Sequence, residues 1–239
     1  MQVLLAAVLA ASVALAVSPP ATASPSGSDL PKTLHVARAA QAPGDGSSAR
    51  PYPRIAQALA VAMPGDTVLV GRGRYAEEVR TVRPGRPGAP IRVVGRPGTH
   101  LAGPHGRARG RLVQVLHDYV TLQSLELSDA NILVWVQGAS HVRLLGSRLH
   151  DAGGECVRLK GSAQANEVAG NVSNRSTRHA GAGIRLGGDK PGQGVGNDVV
   201  GNTLTDNAGY GLKVMRRPQG RIAGNTFARN RRGRTNQKP

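Results

Sequence analysis

The sequence predicts an all-β protein, a parallel β-helix of stacked coils, and two repeated patterns carry this prediction. The first pattern recurs in the segments LVWVQG, CVRLKG, GIRLGG and GLKVM, which begin at residues 133, 156, 183 and 211. Because successive side chains of a strand point to opposite faces, two aliphatic positions in each segment face the same way. These positions are Val134, Val157, Ile184 and Leu212, followed two residues later by Val136, Leu159, Leu186 and Val214.

The second pattern places an aliphatic residue two positions before a glycine and a small polar residue directly after that glycine. The polar residues are Ser147, Asn171, Asn202 and Asn225, at spacings of 24, 31 and 23 residues. Repeats of this length are typical of stacked units that bury their apolar faces against neighbours. The frequent Gly, Asn and β-branched residues and the apolar period of two argue against helical repeats. We expect the asparagines to form a buried ladder of hydrogen bonds.

The start of the chain has the features of an export signal. Residues 1–23 are rich in Ala, Val and Leu and contain no charged residue, and ATA at 21–23 is a small-x-small cleavage site. The apolar run is broken by SPP at 18–20 and is short for a membrane span. We predict a signal peptide over 1–23, a linker over 24–31 and a secreted, extracellular protein without membrane association after cleavage.

The β-helix domain is predicted over residues 32–230, with one helix near its start. A strand at 33–37 precedes an amphipathic segment at 53–63, in which Pro53 suits the first turn and four apolar residues share one face. PGD at 64–66 ends this segment. An amphipathic helix directly before the first coil is expected to cap the open end of a solenoid. Helix 53–63 therefore receives a structural role.

Further strands are predicted at 67–70, 91–94 and 112–115, separated by basic loops rich in Gly and Pro. Val120, Leu122, Leu125 and Leu127 continue the inward row. Aromatic residues make up only 3% of the chain, so the core is predicted to be aliphatic, as closely stacked coils require. The repeat fades after residue 226, and residues 231–239 are predicted to form a basic C-terminal tail.

The composition favours a polyanionic partner. Lys and Arg outnumber Asp and Glu by 31 to 14, which gives a net charge of +17. Such a field attracts polyanions in a salt-dependent manner, and outside a cell acidic polysaccharides are the partner that we expect. Nucleic acid ranks last because Trp135 alone is placed to stack on bases. Cys156 is the only cysteine, which excludes an intrachain disulfide and a cysteine-based zinc site, and we expect a monomer.

One set of residues is predicted to point outward from the repeated strands. This set, the outward column, consists of Trp135, Arg158, Arg185 and Lys213. Stacked strands lie about 4.8 Å apart, so its cations could meet successive carboxylates of an extended sugar chain, with the Trp135 ring against a sugar. Gln137 and His150 are further candidate substrate-binding residues. The alternative interpretation is that these side chains form an ordinary solvated exterior.

The segments GECVRLKG, GAGIRLGG, NDVVGNTLTDNAGYGLKV and AGNTFARN resemble the secreted right-handed parallel β-helix proteins of the pectin-lyase-like superfamily. The resemblance covers residues 53–230 and implies a single-stranded, right-handed solenoid with a short N-terminal capping helix. Lyases, hydrolases, epimerases and non-enzymes share this architecture, so the fold alone does not determine the chemistry.

Part of the sequence also resembles the family of chondroitinase B and the alginate lyases. In that family the catalytic base is a Lys that follows a Glu by five residues on the same strand. An Arg lies about one coil further on, and the Glu is one of the calcium ligands. Glu155, Lys160 and Arg185 match this arrangement, although strict alignment places Gly187 over Lys160. The resemblance implies possible calcium ligands at Glu155 and Asp151.

Two functions follow from these residues. Fixed cations beside a uronate carboxylate acidify its C5 proton, and like charges favour the neutral form of a lysine. Lys160 is therefore the candidate base of a β-elimination, with Arg158 and Arg185 as charge neutralisers. The alternative is a non-catalytic protein that binds acidic glycans through the same column. His117, His141 and His179 show no metal-ligand spacing, so no metal is assigned from histidine, and calcium is the one cofactor considered.

Overall fold

The computed structural model describes residues 30–106, 109–178, 181–187, 194–215 and 220–236. From Pro31 onward the chain forms one compact unit, a parallel β-solenoid of about six turns. The predicted signal peptide, nearly all of the predicted linker and residues 237–239 of the predicted tail lie outside the described residues. Within the described part, no helix is long and apolar enough to cross a membrane.

The strands stack into three parallel sheets, which confirms the predicted all-β parallel β-helix. The eight-stranded sheet contains β1 (Thr33–Val36), β2 (Thr67–Val70), β5 (Ile91–Gly95), β8 (Val120–Gln123), β11 (Arg143–Leu145), β14 (Glu167–Ala169), β17 (Asp198–Val200) and β20 (Ile222–Ala223). The seven-stranded sheet contains β3 (Gly73–Tyr75), β6 (Thr99–Ala102), β9 (Glu126–Ser128), β12 (Arg148–His150), β15 (Val172–Asn174), β18 (Thr203–Thr205) and β21 (Thr226–Ala228). The six-stranded sheet contains β4 (Val79–Arg80), β7 (Arg111–Val115), β10 (Ile132–Gln137), β13 (Val157–Lys160), β16 (Ile184–Leu186) and β19 (Leu212–Val214).

The predicted aliphatic positions fill the interior. In the six-stranded sheet the strand pairing aligns Val134, Val157, Ile184 and Leu212, and all four side chains are buried. A slip of one residue would turn this whole row toward solvent. The buried row therefore also fixes which residues stand side by side on the outer face.

Asparagine side chains connect successive coils at one corner of the solenoid, as predicted. The Oδ1 atom of Asn171 accepts the backbone N–H of Ser147 at 2.8 Å, and Asn202 accepts that of Asn171 at 2.9 Å. Asn225 accepts the N–H of Asn202 at 2.9 Å. These bonds satisfy buried groups that would otherwise cost about 1–3 kcal/mol each. Shorter ladders join Asn166 with Asn197 and Asn207 with Asn230.

The one helix of the described chain, α1 (Ile55–Val61), lies within the predicted range of 53–63 and packs against β1, β2 and β4. Its buried face includes Ile55 and Leu59. Glu77 satisfies the first turn, because its Oε1 accepts the N–H of Ile55 at 2.9 Å and its Oε2 that of Ala56 at 3.4 Å. The helix thus covers the first coil, which confirms its capping role.

The C-terminal coil is more exposed than the first. Ile222 is 39% exposed, and Phe227 is only partly buried against the core. Thr235 forms a bridge with Leu212, and the side chain of Asn236 bonds both the N–H and the carbonyl of Val214. Thr235 and Asn236, in the middle of the predicted tail, therefore lie alongside the last strand of the six-stranded sheet.

Candidate functional site

The outward column predicted from the sequence lies on one face of the six-stranded sheet. Strand pairing aligns its four residues on β10, β13, β16 and β19, which confirms that they share one outer wall. The pairing also places two residues of β4 and β7 in line with the column. From the first strand to the last, the complete row is Arg80, Gln114, Trp135, Arg158, Arg185 and Lys213.

Trp135 lies beneath cations instead of exposing a free ring face. The guanidinium carbon of Arg111 lies 3.9 Å from its ring centroid, that of Arg158 5.0 Å, and Nζ of Lys160 5.9 Å. Only 4% of the residue is exposed, and its Nε1–H donates to Oε1 of Gln137 at 2.9 Å. The electron-rich ring attracts the three cations, which cover it. The expectation that Trp135 stacks on a sugar is thus corrected: the indole positions cations, and Gln137 holds the indole.

Glu155 fixes two arginines of the column. Its Oε1 lies 3.3 Å from Nη1 of Arg185, and its Oε2 lies 4.0 Å from Nη1 of Arg158. The three side chains expose only 11–19% of their surface, so solvent screens these ion pairs weakly. One carboxylate thus faces two guanidinium groups, and the described side chains of the row carry more positive than negative charge.

The residues that the family resemblance offers to calcium do not fit that ion. Calcium takes six to eight oxygen ligands, among which carboxylates dominate. Both oxygens of Glu155 face guanidinium groups. Asp151 accepts from Nε and Nη2 of Arg175 at 3.0 and 2.7 Å and lies 2.7 Å from Nδ1 of His150. Cations already occupy both carboxylates, so we correct the calcium assignment of Glu155 and Asp151 to one of ion-pair partners.

Lys160 lies beside the outward column on β13. It pairs with Gln137 on β10 and is half-buried, while Arg185 pairs with Arg158. Arg185 is consequently offset from Lys160 by two residues along the neighbouring strand, as the sequence alignment indicated. The catalytic role of Lys160 remains a prediction.

His150 does not join this wall. It belongs to β12 of the seven-stranded sheet, where its Nε2 lies 2.9 Å from Oε1 of Glu126. His150 therefore lies on a different sheet from the outward column, and its role as a substrate-binding residue remains a prediction. His150 is the last residue of the three-residue strand β12, and Asp151 follows with a φ of 58°.

Sequence reasoning missed three contributors to the wall, which are Arg80 and Gln114 of the row and Arg111 over the Trp135 ring. The N-terminal coils lack the Gly-Asn pattern that aligned the later repeats, so the register of β4 and β7 with β10 was not visible. The available signal was the position of Gln114 between the aliphatic residues Val113 and Val115, which predicts that Gln114 points outward.

Comparisons with known proteins agree with this architecture. A family model described as "Protein of unknown function (DUF1565)" matches residues 40–238. Among solved structures, pectate lyase Pel9A is 21% identical with a TM-score of 0.66, and the match covers 77% of this chain and 52% of that one. A rhamnogalacturonan lyase is 14% identical with a TM-score of 0.61, covering 83% of this chain and 62% of that one. A GH136 lacto-N-biosidase from Eubacterium ramulus is 14% identical with a TM-score of 0.61, and the match covers 77% of this chain and 43% of that one.

These likenesses show the fold, and they confirm the resemblance to pectin-lyase-like β-helix proteins. The chain covers about half of the length of these three solved structures. No match was found among the curated proteins.

Proposed function

The chain belongs to the DUF1565 family, and from this premise we propose that it binds acidic, uronate-containing polysaccharide along the six-stranded sheet and cleaves it by β-elimination. The observation that carries the proposal is the in-register row of cations on one outer wall, anchored by Trp135 and Glu155. The predicted signal peptide would place the protein outside the cell, where such polymers occur.

The spacing of the wall suits an extended polyanion. Neighbouring strands lie about 4.8 Å apart, so six strands offer a track of roughly 24 Å. Trp135 and Glu155 hold the guanidinium groups before a ligand arrives, which lowers the entropy cost of ordering them on binding. Each carboxylate of the polymer could then contact a cation on a successive coil.

The chemistry needs a base and a stabiliser of negative charge. In β-elimination the base removes the C5 proton, the electron pair forms a C4–C5 double bond, and the C4–O bond breaks. The departing oxygen takes a proton from solvent. Negative charge builds up on the uronate carboxylate as the proton leaves, and fixed cations stabilise it. We assign the base to Lys160 and the stabilisation to Arg158 and Arg185.

The names of two solved neighbours, pectate lyase and rhamnogalacturonan lyase, support a lyase activity on a polysaccharide. Their sequences are too different from this chain to carry the activity over. The proposal therefore depends on the wall itself.

A non-catalytic glycan-binding protein is the second candidate function. Among the described residues, the row on the six-stranded sheet holds four cations, one amide and one indole. This row lacks an imidazole, phenol or carboxylic acid to protonate a leaving oxygen. That composition favours binding without turnover.

The test measures binding and cleavage separately. Purified protein is mixed with alginate, pectate and glycosaminoglycans, and unsaturated product is followed by its ultraviolet absorbance. Binding is measured by calorimetry at two salt concentrations. We expect cleavage that Lys160→Ala abolishes while binding persists, with Lys32→Ala, an exposed lysine outside the wall, as the matched control.

Binding without product formation would select the second candidate and remove β-elimination. Absence of both binding and cleavage on all three polymers would overturn the proposal. Equal cleavage by Lys160→Ala and the parent protein would remove Lys160 as base.

A further inference from the structure

Two histidines and a glutamate converge on the outer side of the seven-stranded sheet, away from the wall described above. His100, Glu126 and His150 lie on the consecutive strands β6, β9 and β12. One potential ligand atom of each lies within 4.8 Å of the others. The closest pair is Nε2 of His150 and Oε1 of Glu126, at 2.9 Å.

Strand register produces this convergence. His100 stands directly beside Glu126 in the β6–β9 pair. His150 stands beside Ser128, two residues from Glu126 on the same outer face. Zinc binds histidine nitrogen and carboxylate oxygen at about 2.0–2.2 Å, so ligand atoms of one ion lie roughly 3–4 Å apart. Small side-chain rotations would bring the three groups to that separation.

Neighbouring groups orient the two imidazole rings. Oδ2 of Asp151 lies 2.7 Å from Nδ1 of His150, which directs Nε2 of that ring toward the cluster. Arg175 in turn holds Asp151. Oγ of Ser128 lies 2.8 Å from Nε2 of His100. A carboxylate on the outer nitrogen of a ligating histidine is the usual support of a metal site, because it fixes the ring and increases its basicity.

The charges around the cluster are balanced before any ion binds. Arg74 lies 3.3 Å from Asp129, and Arg175 lies 2.7 Å from Asp151. Arg148 of β12 stands beside Glu126 of β9, and its positive charge faces the Glu126 carboxylate.

From this geometry we propose that His100, Glu126 and His150 bind one divalent transition-metal ion, with zinc as the preferred ion. Two imidazoles favour zinc over calcium or magnesium, which take oxygen ligands. Three protein ligands leave at least one coordination position for water or another ligand. This proposal does not rest on polysaccharide binding, because the site lies on a different sheet from the outward column.

The experiment titrates zinc chloride into the full chain by calorimetry, with protein that carries no histidine tag and has been dialysed against a chelator. We expect one zinc ion per chain. His100→Ala and His150→Ala should lose this binding, and Glu126→Gln should weaken it. Asp151→Asn, which removes only the support of His150, should weaken it by about 10- to 100-fold. His105→Ala is the matched control, because His105 is exposed and lies outside the cluster.

Cobalt(II) provides a second measurement, since its visible absorption reports nitrogen and oxygen ligands directly. We expect bands that zinc abolishes and calcium does not, and circular dichroism checks that each variant is folded. His100 is only partly buried, so its variant keeps the test valid if His150→Ala fails to fold. Absence of zinc binding by the parent protein, or equal affinity in folded His100→Ala and His105→Ala, would overturn the proposal. Lys160→Ala should bind zinc like the parent protein, which separates this test from that of the lyase.

Discussion

The six-stranded and seven-stranded sheets share the same coils and the same aliphatic interior, yet their outer faces distribute charge in opposite ways. On the six-stranded sheet, among the described residues, the carboxylate of Glu155 faces both Arg158 and Arg185. On the side of the seven-stranded sheet, the described residues include three ion pairs between an arginine and an aspartate. These pairs are Arg74–Asp129, Arg175–Asp151 and Arg229–Asp206.

This difference shows that the charge on the outer face of a solenoid can vary from sheet to sheet. The buried rows fix the register, so the outward residues can change without disturbing the fold. An excess of one charge on a wall attracts a polyanion, whereas a balanced set of charges orients imidazoles without attracting one. Each of the following experiments changes one face and uses the other as its reference.

The largest effect is expected from the double variant Arg158→Ala/Arg185→Ala. Charged hydrogen bonds contribute about 1.5–3 kcal/mol each, so removal of two should weaken binding of a polyuronate by at least about 100-fold. Calorimetric titration with oligouronates of defined length measures the loss. The matched control is Arg175→Ala/Arg229→Ala, which removes two exposed arginines from the balanced face.

Because the arginine variant also leaves Glu155 without these partners, Lys160→Ala/Lys213→Ala provides a second arm that keeps both ion pairs. It should weaken binding in the same direction. Equal losses from both faces would show that the total charge of the chain, and not the wall, determines affinity.

A smaller effect, on stability, is expected from Glu155→Gln. The substitution leaves two partly buried guanidinium groups without their shared carboxylate and should lower the free energy of unfolding by about 1–3 kcal/mol. Asp206→Asn breaks an exposed ion pair on the other face and should have no measurable effect. Urea denaturation followed by circular dichroism measures both; equal midpoints for the two variants would contradict the difference in burial.

The last prediction is the absence of an effect: a thiol reagent should not label Cys156 in the native protein. Cys156 is fully buried between the two sheets, and its Sγ lies 3.9 and 3.7 Å from the carbonyls of Leu149 and Asn174. Burial raises the pKa of its thiol to about 12, so reactive thiolate is scarce at neutral pH. Labelling should require denaturant. Rapid labelling without denaturant would mean that the interior opens, so that a change on the outer face of one sheet could affect the other sheet.

The fold and the outward column could be predicted because both depend on local alternation. Val157 and Leu159 flank Arg158 in one strand, and the same triplet recurs at Ile184 and Leu212. The partners of Trp135 could not be predicted in the same way. Arg111 lies 24 residues before it in a coil without the Gly-Asn pattern, and it pairs with Ile132 while Gln114 pairs with Trp135, so alternation along the strands does not reveal its contact with the ring.

The histidine cluster escaped prediction for a related reason. His100, Glu126 and His150 are separated by 26 and 24 residues, spacings that match one coil and no local ligand motif. The irregular basic loop between β6 and β7 hid that periodicity. The burial of Glu155 was also invisible, because the sequence does not show that two guanidinium groups lie over one carboxylate.

The asparagine ladder makes the coil an interchangeable unit. Asn171 and Asn202 make the same bond to the residue below, so excising residues 171–201 would join Gly170 to Asn202 and place that amide beneath Ser147 with its partners intact. Gene rearrangements can thus lengthen or shorten such a molecule in whole steps, each adding or removing one contact for a bound polymer. The length of polymer that the molecule contacts is then set by a whole number of coils, which the gene encodes.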